Sequence, residues 1–167
     1  NNVALPIKVE IWDAENARQG PFGRCRGGEL FAAGKNLLVI DAGTAITYEV
    51  IEAPGIFLGG NISPGMTTRF RALNHFTKKL PLVTEEDDIP LIGRSTETAI
   101  QAGVVNGIVY EMDGYIDELK VKYPDLLVFL KGGHSFYFER RLKNSIFADI
   151  NLVLTGLNRI LEYNVEN

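Results

Sequence analysis

The sequence predicts an α/β domain, a mixed sheet opened by a three-stranded antiparallel meander and covered by helices. Three observations carry this. Short apolar runs end in glycine turns after Leu37, longer segments repeat apolar residues at helical spacing, and the run Leu126 to Leu130 leads into a second glycine turn. With 167 residues and 46% hydrophobic content, the chain has enough material for one core.

The elements follow in order. Leu37 to Ile40 is an apolar run closed by Asp41, and Ala45 to Ile51 is a second run rich in β-formers, with Gly43 and Thr44 as the tight link. Ala53-Pro54-Gly55 signals a turn, after which Ile56 to Leu58 resumes an extended run that should stop at Gly59-Gly60. Met66, Phe70, Leu73 and Phe76 recur on one helical face, with Pro64 suited to the first turn. Lys78 to Ile92 reads as a polar loop. A long helix then runs to about Lys122, capped by Ser95 or Thr96, with Ile100, Val104, Ile108, Met112, Tyr115 and Leu119 as its buried stripe. Pro124 ends it, Leu126 to Leu130 is a buried strand, and residues 134–142 and 152–163 read as the last two helices.

Composition excludes several classes. The net charge of −4 and the absence of a basic block argue against nucleic acid as a partner. No apolar stretch approaches the ~20 residues needed to cross a bilayer, so a membrane partner is not expected and the chain reads as soluble. Cys25 is the sole cysteine, which rules out a disulfide framework and fits a reducing, cytoplasmic setting. The chain begins with Asn1, and a piece of a longer product is expected.

The sharpest chemical feature is Asp41-Ala42-Gly43-Thr44-Ala45-Ile46-Thr47, a strand-end carboxylate followed by a glycine turn bearing hydroxyls. Such a turn can offer the Gly43 and Thr44 amides and the Thr44 hydroxyl to phosphate oxygens while Asp41 faces a cation; an ordinary hairpin is the plain alternative. Gly59-Gly60 and Gly132-Gly133 also follow apolar strands, where glycine lets backbone approach a ligand closely. Neither the Walker loop nor the dinucleotide fingerprint is present. His75 and His134 lack metal-ligand spacing and read as surface or structural residues.

The series Asp41-Ala-Gly-Thr-Ala-Ile-Thr47, Gly59-Gly-Asn-Ile-Ser-Pro-Gly65, Leu80-Pro81, Ile92-Gly-Arg-Ser-Thr-Glu97 and Ala102-Gly103 resembles, in order and spacing, the motifs of type III pantothenate kinases over about residues 37 to 163. The resemblance implies a ribonuclease-H-like lobe of the acetate and sugar kinase, actin-like superfamily, here the C-terminal one at residues 37–167. It implies transfer of the ATP γ-phosphoryl to pantothenate, the first step of coenzyme A synthesis, with Mg2+ and a monovalent cation, K+ or NH4+. Asp41 would then ligate that cation, Gly43 and Thr44 would meet the ATP phosphates, Gly132 and Gly133 would lie near adenosine, and Thr96 would contact pantothenate. A homodimer is also implied. The alternative function is a non-catalytic actin-like lobe serving as an oligomerisation or transcriptional accessory module.

Three departures stand against the family pattern. The first lobe's Asp-x-Gly-Asn-Thr loop is not in this sequence, and the family's Gly-x-Asp-Arg, source of the general base, has no counterpart near Gly20, where Arg18 to Gly28 lacks an Asp-Arg pair. Residues 1–36 are therefore expected to be a remnant of the inter-lobe segment, with residues 11–34 a frameshifted translation. Bases that encode Gln19 to Glu29, read in another frame behind two added bases, give Gly-Lys-Asp-Arg-Leu-Ala-Ala. A divergent basic, glycine-rich loop is the other reading. Lys131 and His134 stand where the family commonly has Thr and Asp or Asn.

Overall fold

The computed structural model describes residues 34–148 together with the backbone of a two-residue strand, β1 (Lys8–Val9). The expected helix at 152–163, Trp12, Cys25 and the 11–33 stretch lie outside the described residues. The remaining elements are β2 (Leu37–Ala42), β3 (Ala45–Glu52), β4 (Ile56–Pro64), α1 (Met66–Phe76), α2 (Thr96–Lys122), β5 (Leu127–Lys131), α3 (Ser135–Glu139) and β6 (Phe147–Ala148). The strands form one mixed sheet in the order β1-β4-β3-β2-β5-β6.

The meander is present: β2 pairs antiparallel with β3, and β3 with β4. β5 lies parallel to β2, with Asp41 opposite Lys131. β2 thus has a neighbour on each side, and Leu37 to Ile40 are all buried, which is why the run is continuously apolar instead of alternating. The core joins this strand to Tyr48, Met66, Phe70 and the inner face of α2, where Ile100, Val104, Ile108 and Met112 are buried and Tyr115 and Leu119 pack at the margin.

The structure corrects four readings. β4 does not stop at Gly59-Gly60 but continues to Pro64. Gly59 has φ of 118°, beside a register shift at Val50/Ile51, and a Cβ on Gly60 would overlap the Tyr48 backbone, so the two glycines bend the strand without ending it. Pro64 accordingly closes the strand, and Gly65 stands at the N-cap of α1. Phe76, expected on the buried face, is 82% exposed: it is the last helical residue, and its ring stands edge-on to His75. α3 covers Ser135–Glu139 and not 134–142. Its continuation is diverted because buried Asp113 on α2 accepts hydrogen bonds from the Lys143 and Asn144 amides.

α2 begins as expected and its cap is resolved in favour of Ser95. The Ser95 hydroxyl accepts from the Thr98 amide and the Thr98 hydroxyl accepts from the Ser95 amide, a reciprocal cap. Glu97 in the first turn and Lys120 and Lys122 in the last suit the helix dipole. Among the described residues no helix is long and apolar enough to cross a membrane.

Candidate functional site

The turn joining β2 to β3 is held from beneath by the start of α1. The Thr44 carbonyl accepts from the Gly65 amide at 3.0 Å and from the Thr68 hydroxyl at 2.7 Å. A Cβ at Gly65 would overlap the Gly43 carbonyl oxygen, so only glycine lets the turn sit this close. The Gly43 amide donates to the Ala45 carbonyl at 3.1 Å and is spent within the turn. The Thr44 side chain is exposed, and among the described residues nothing bonds its hydroxyl.

The second glycine turn lies against the same strand end. Gly132 has φ of 95°, a backbone that favours glycine, and a Cβ there would stand 2.6 Å from Asp41 Oδ1 and 2.7 Å from the Ala42 carbonyl oxygen. The His134 amide donates to the Ala42 carbonyl and the Ser135 amide to the Gly132 carbonyl, both at 3.1 Å. Gly133 is exposed with open space on its Cβ side. Asp41, Gly43, Thr44, Gly132 and Gly133 are thus gathered at the C-terminal edge of the parallel β2–β5 pair, the edge at which open α/β sheets receive ligands.

The cation set against Asp41 comes from the chain itself. Lys131 Nζ lies 3.3 Å from Asp41 Oδ2, with the lysine side chain 1% exposed and the aspartate 16%. Among the described residues, no group of three or more His, Cys, Asp or Glu could hold a metal ion.

A polar network missed at the sequence level braces the element that seats the turn. Glu111 on α2 accepts from the Tyr48 hydroxyl at 2.7 Å and from the Ser63 hydroxyl, and it pairs with Arg69 of α1. Burial alone would raise the Glu111 carboxyl, but hydrogen bonds from Ser63, Arg69 and Tyr48 and the Arg69 charge bring it below the ordinary carboxylate value. Burial, then the hydrogen bond and charge of Glu111, push the Tyr48 hydroxyl far above the usual phenol range. The available signal was a carboxylate on the apolar stripe, between Ile108 and Tyr115.

Thr96 is not brought to this cluster by any contact among the described residues. It is exposed, its hydroxyl has no partner there, and Ser95 relieves it of capping. At a rise of 1.5 Å per residue it stands about 22 Å along the helix axis from Glu111.

The profile of a family described as type III pantothenate kinase matches residues 27–118. A type III pantothenate kinase of Phocaeicola vulgatus is 60% identical over 131 residues, covering 78% of this chain and 54% of the relative. One from Cytophaga hutchinsonii is 44% identical over 161 residues, covering 96% and 68%. The chain therefore spans about half the length of the first of these relatives and about two thirds of the second. Among solved structures, a Baf family transcriptional activator from Campylobacter jejuni superposes with a TM-score of 0.70 at 21% identity, over 96% of this chain and 70% of that one, a likeness of fold.

Proposed function

The chain belongs to the type III pantothenate kinase family, and from that membership we propose that residues 37–167 work as the C-terminal, ribonuclease-H-like lobe of an enzyme that transfers the γ-phosphoryl of ATP to pantothenate. The product is 4'-phosphopantothenate, for coenzyme A synthesis. The observation that supports this most is the gathering of Asp41, Gly43, Thr44, Gly132 and Gly133 at one sheet edge.

In this reading the Thr44 hydroxyl bonds an ATP phosphate, and the backbone that carries it is fixed by the two hydrogen bonds to the Thr44 carbonyl. Gly43 leaves the approach to that hydroxyl clear of a side chain. Gly132 and Gly133 offer a wall without side chains beside the adenosine. Thr96 contacts pantothenate, bound near the interface of a homodimer. Magnesium, when bound with the nucleotide, offsets the charge that builds on the phosphates.

Asp41 keeps positive charge beside the phosphate turn. With buried Lys131 at its carboxylate, a potassium or ammonium ion fits poorly there as the chain stands. No side chain is assigned as the proton acceptor, because the stretch Arg18 to Gly28 holds no Asp-Arg pair. What the described residues supply is position and charge, the terms on which phosphoryl transfer chiefly depends.

Amide chemical shifts of the labelled full chain, followed as Mg-ATP is added, test the reading. The Gly43, Thr44, Gly132 and Gly133 signals should move most. Movement confined to other surfaces would refute it.

A further inference from the structure

We propose that Lys131 is the resident cation of the Asp41 turn, its ammonium standing where a free monovalent cation would otherwise be held, so that the turn is built without added potassium or ammonium. The inference deepens the reading of Asp41 as a cation-facing carboxylate and rests on it. Asp41 and Lys131 are register partners on the parallel strands β2 and β5, at the last position of that ladder. Nζ lies 3.3 Å from Oδ2, and the lysine side chain is 1% exposed.

A lysine this deeply buried is not an ornament of the strand. β5 is otherwise Leu-Val-Phe-Leu, and its final position is as buried as the apolar ones before it. A charge there is tolerated only where opposite charge and hydrogen bonding offset its desolvation. The carboxylate of Asp41 supplies the charge, and Gly132 leaves that carboxylate room to stand there, since any Cβ at this position would come within 2.6 Å of Oδ1. A primary ammonium and a free ammonium ion offer the same charge and the same kind of N–H donors. Attached to β5, the lysine also needs no translational entropy to be placed, so a dissolved ion competes at a disadvantage. A second cation on the same oxygen would face a like charge at contact range.

The test is the melting temperature of the full chain in chlorides of potassium, ammonium, sodium and tetramethylammonium at matched ionic strength. The wild-type chain and Lys131→Arg should melt alike in all four salts. Lys131→Met should melt lower in sodium and tetramethylammonium and regain about half or more of the loss in potassium or ammonium, because a vacated site binds the free ion and linkage stabilises the fold. Asp41→Asn combined with Lys131→Met should show no such rescue. A wild-type chain stabilised by potassium or ammonium over sodium overturns the proposal, as does a folded Lys131→Met that no cation rescues. If Lys131→Met does not fold, the wild-type and Lys131→Arg arms still decide. The Mg-ATP shift experiment is independent of these arms: a failed cation test with shifts still at Thr44 and Gly132 removes the lysine proposal alone, and the converse removes the nucleotide reading.

Discussion

The Gly65 amide donates to the Thr44 carbonyl at 3.0 Å, and the space beside it is so small that any side chain at Gly65 would overlap the neighbouring Gly43 carbonyl. This contact couples the start of α1 to the proposed phosphate turn. A Gly65→Ala substitution must move one or the other, at a cost of about 1–3 kcal/mol for forced overpacking. Urea unfolding of the variant should show that loss, and the Mg-ATP shifts at Thr44 should shrink. A variant within experimental error of the parent on both measures would mean that the turn is not seated on the helix as described.

The Glu111 carboxyl carries a pH prediction. Its value in the folded chain lies below that of a free glutamate, so its contribution to stability is fully present above the unfolded value of about 4.3 and is lost as pH falls through the lower folded value. Glu111→Gln removes the ion pair with Arg69 but keeps an acceptor for Tyr48. The stability gap between parent and variant, from denaturant midpoints, should be wide at neutral pH and narrow below about pH 4. A gap that stays constant across that range would remove the carboxylate from the account.

Ser95 and Thr96 should separate cleanly. Ser95→Ala removes a reciprocal cap and should cost about 1 kcal/mol. Thr96→Ala should leave stability nearly unchanged, since its exposed hydroxyl bonds nothing among the described residues. In an active enzyme the same change should raise the Michaelis constant for pantothenate and spare that for ATP. Equal stability losses in the two variants would place the cap on the wrong residue, and an unmoved pantothenate constant would take Thr96 out of the site.

Local patterns disclosed much of this fold, and long-range pairing explains what they did not. The β2 run, the Gly43-Thr44 link, the α2 stripe and the β5 strand were readable because each is set by neighbours a few residues away. Gly59-Gly60 was misread because a glycine pair ends a strand or bends it according to what lies opposite, here the Tyr48 backbone. The early end of α3 depends on Asp113, on another helix. Lys131 could be seen as a departure from the family pattern, but its burial beside Asp41 follows from the β2–β5 register, which no local spacing reveals. The same holds for Glu111, whose three partners come from three other elements.

The most direct test of the central claim is kinase turnover by a chimera in which the 131 matched residues of this chain replace their counterpart in the Phocaeicola vulgatus relative, to which they are 60% identical. The chimera should phosphorylate pantothenate with Mg-ATP, and Thr44→Ala within it should lower kcat/KM for ATP by about 100-fold, the scale of a lost phosphate-stabilising donor. A folded chimera without turnover, or one in which Thr44→Ala matches its parent, would contradict the assignment of the β2–β3 turn as the phosphate site.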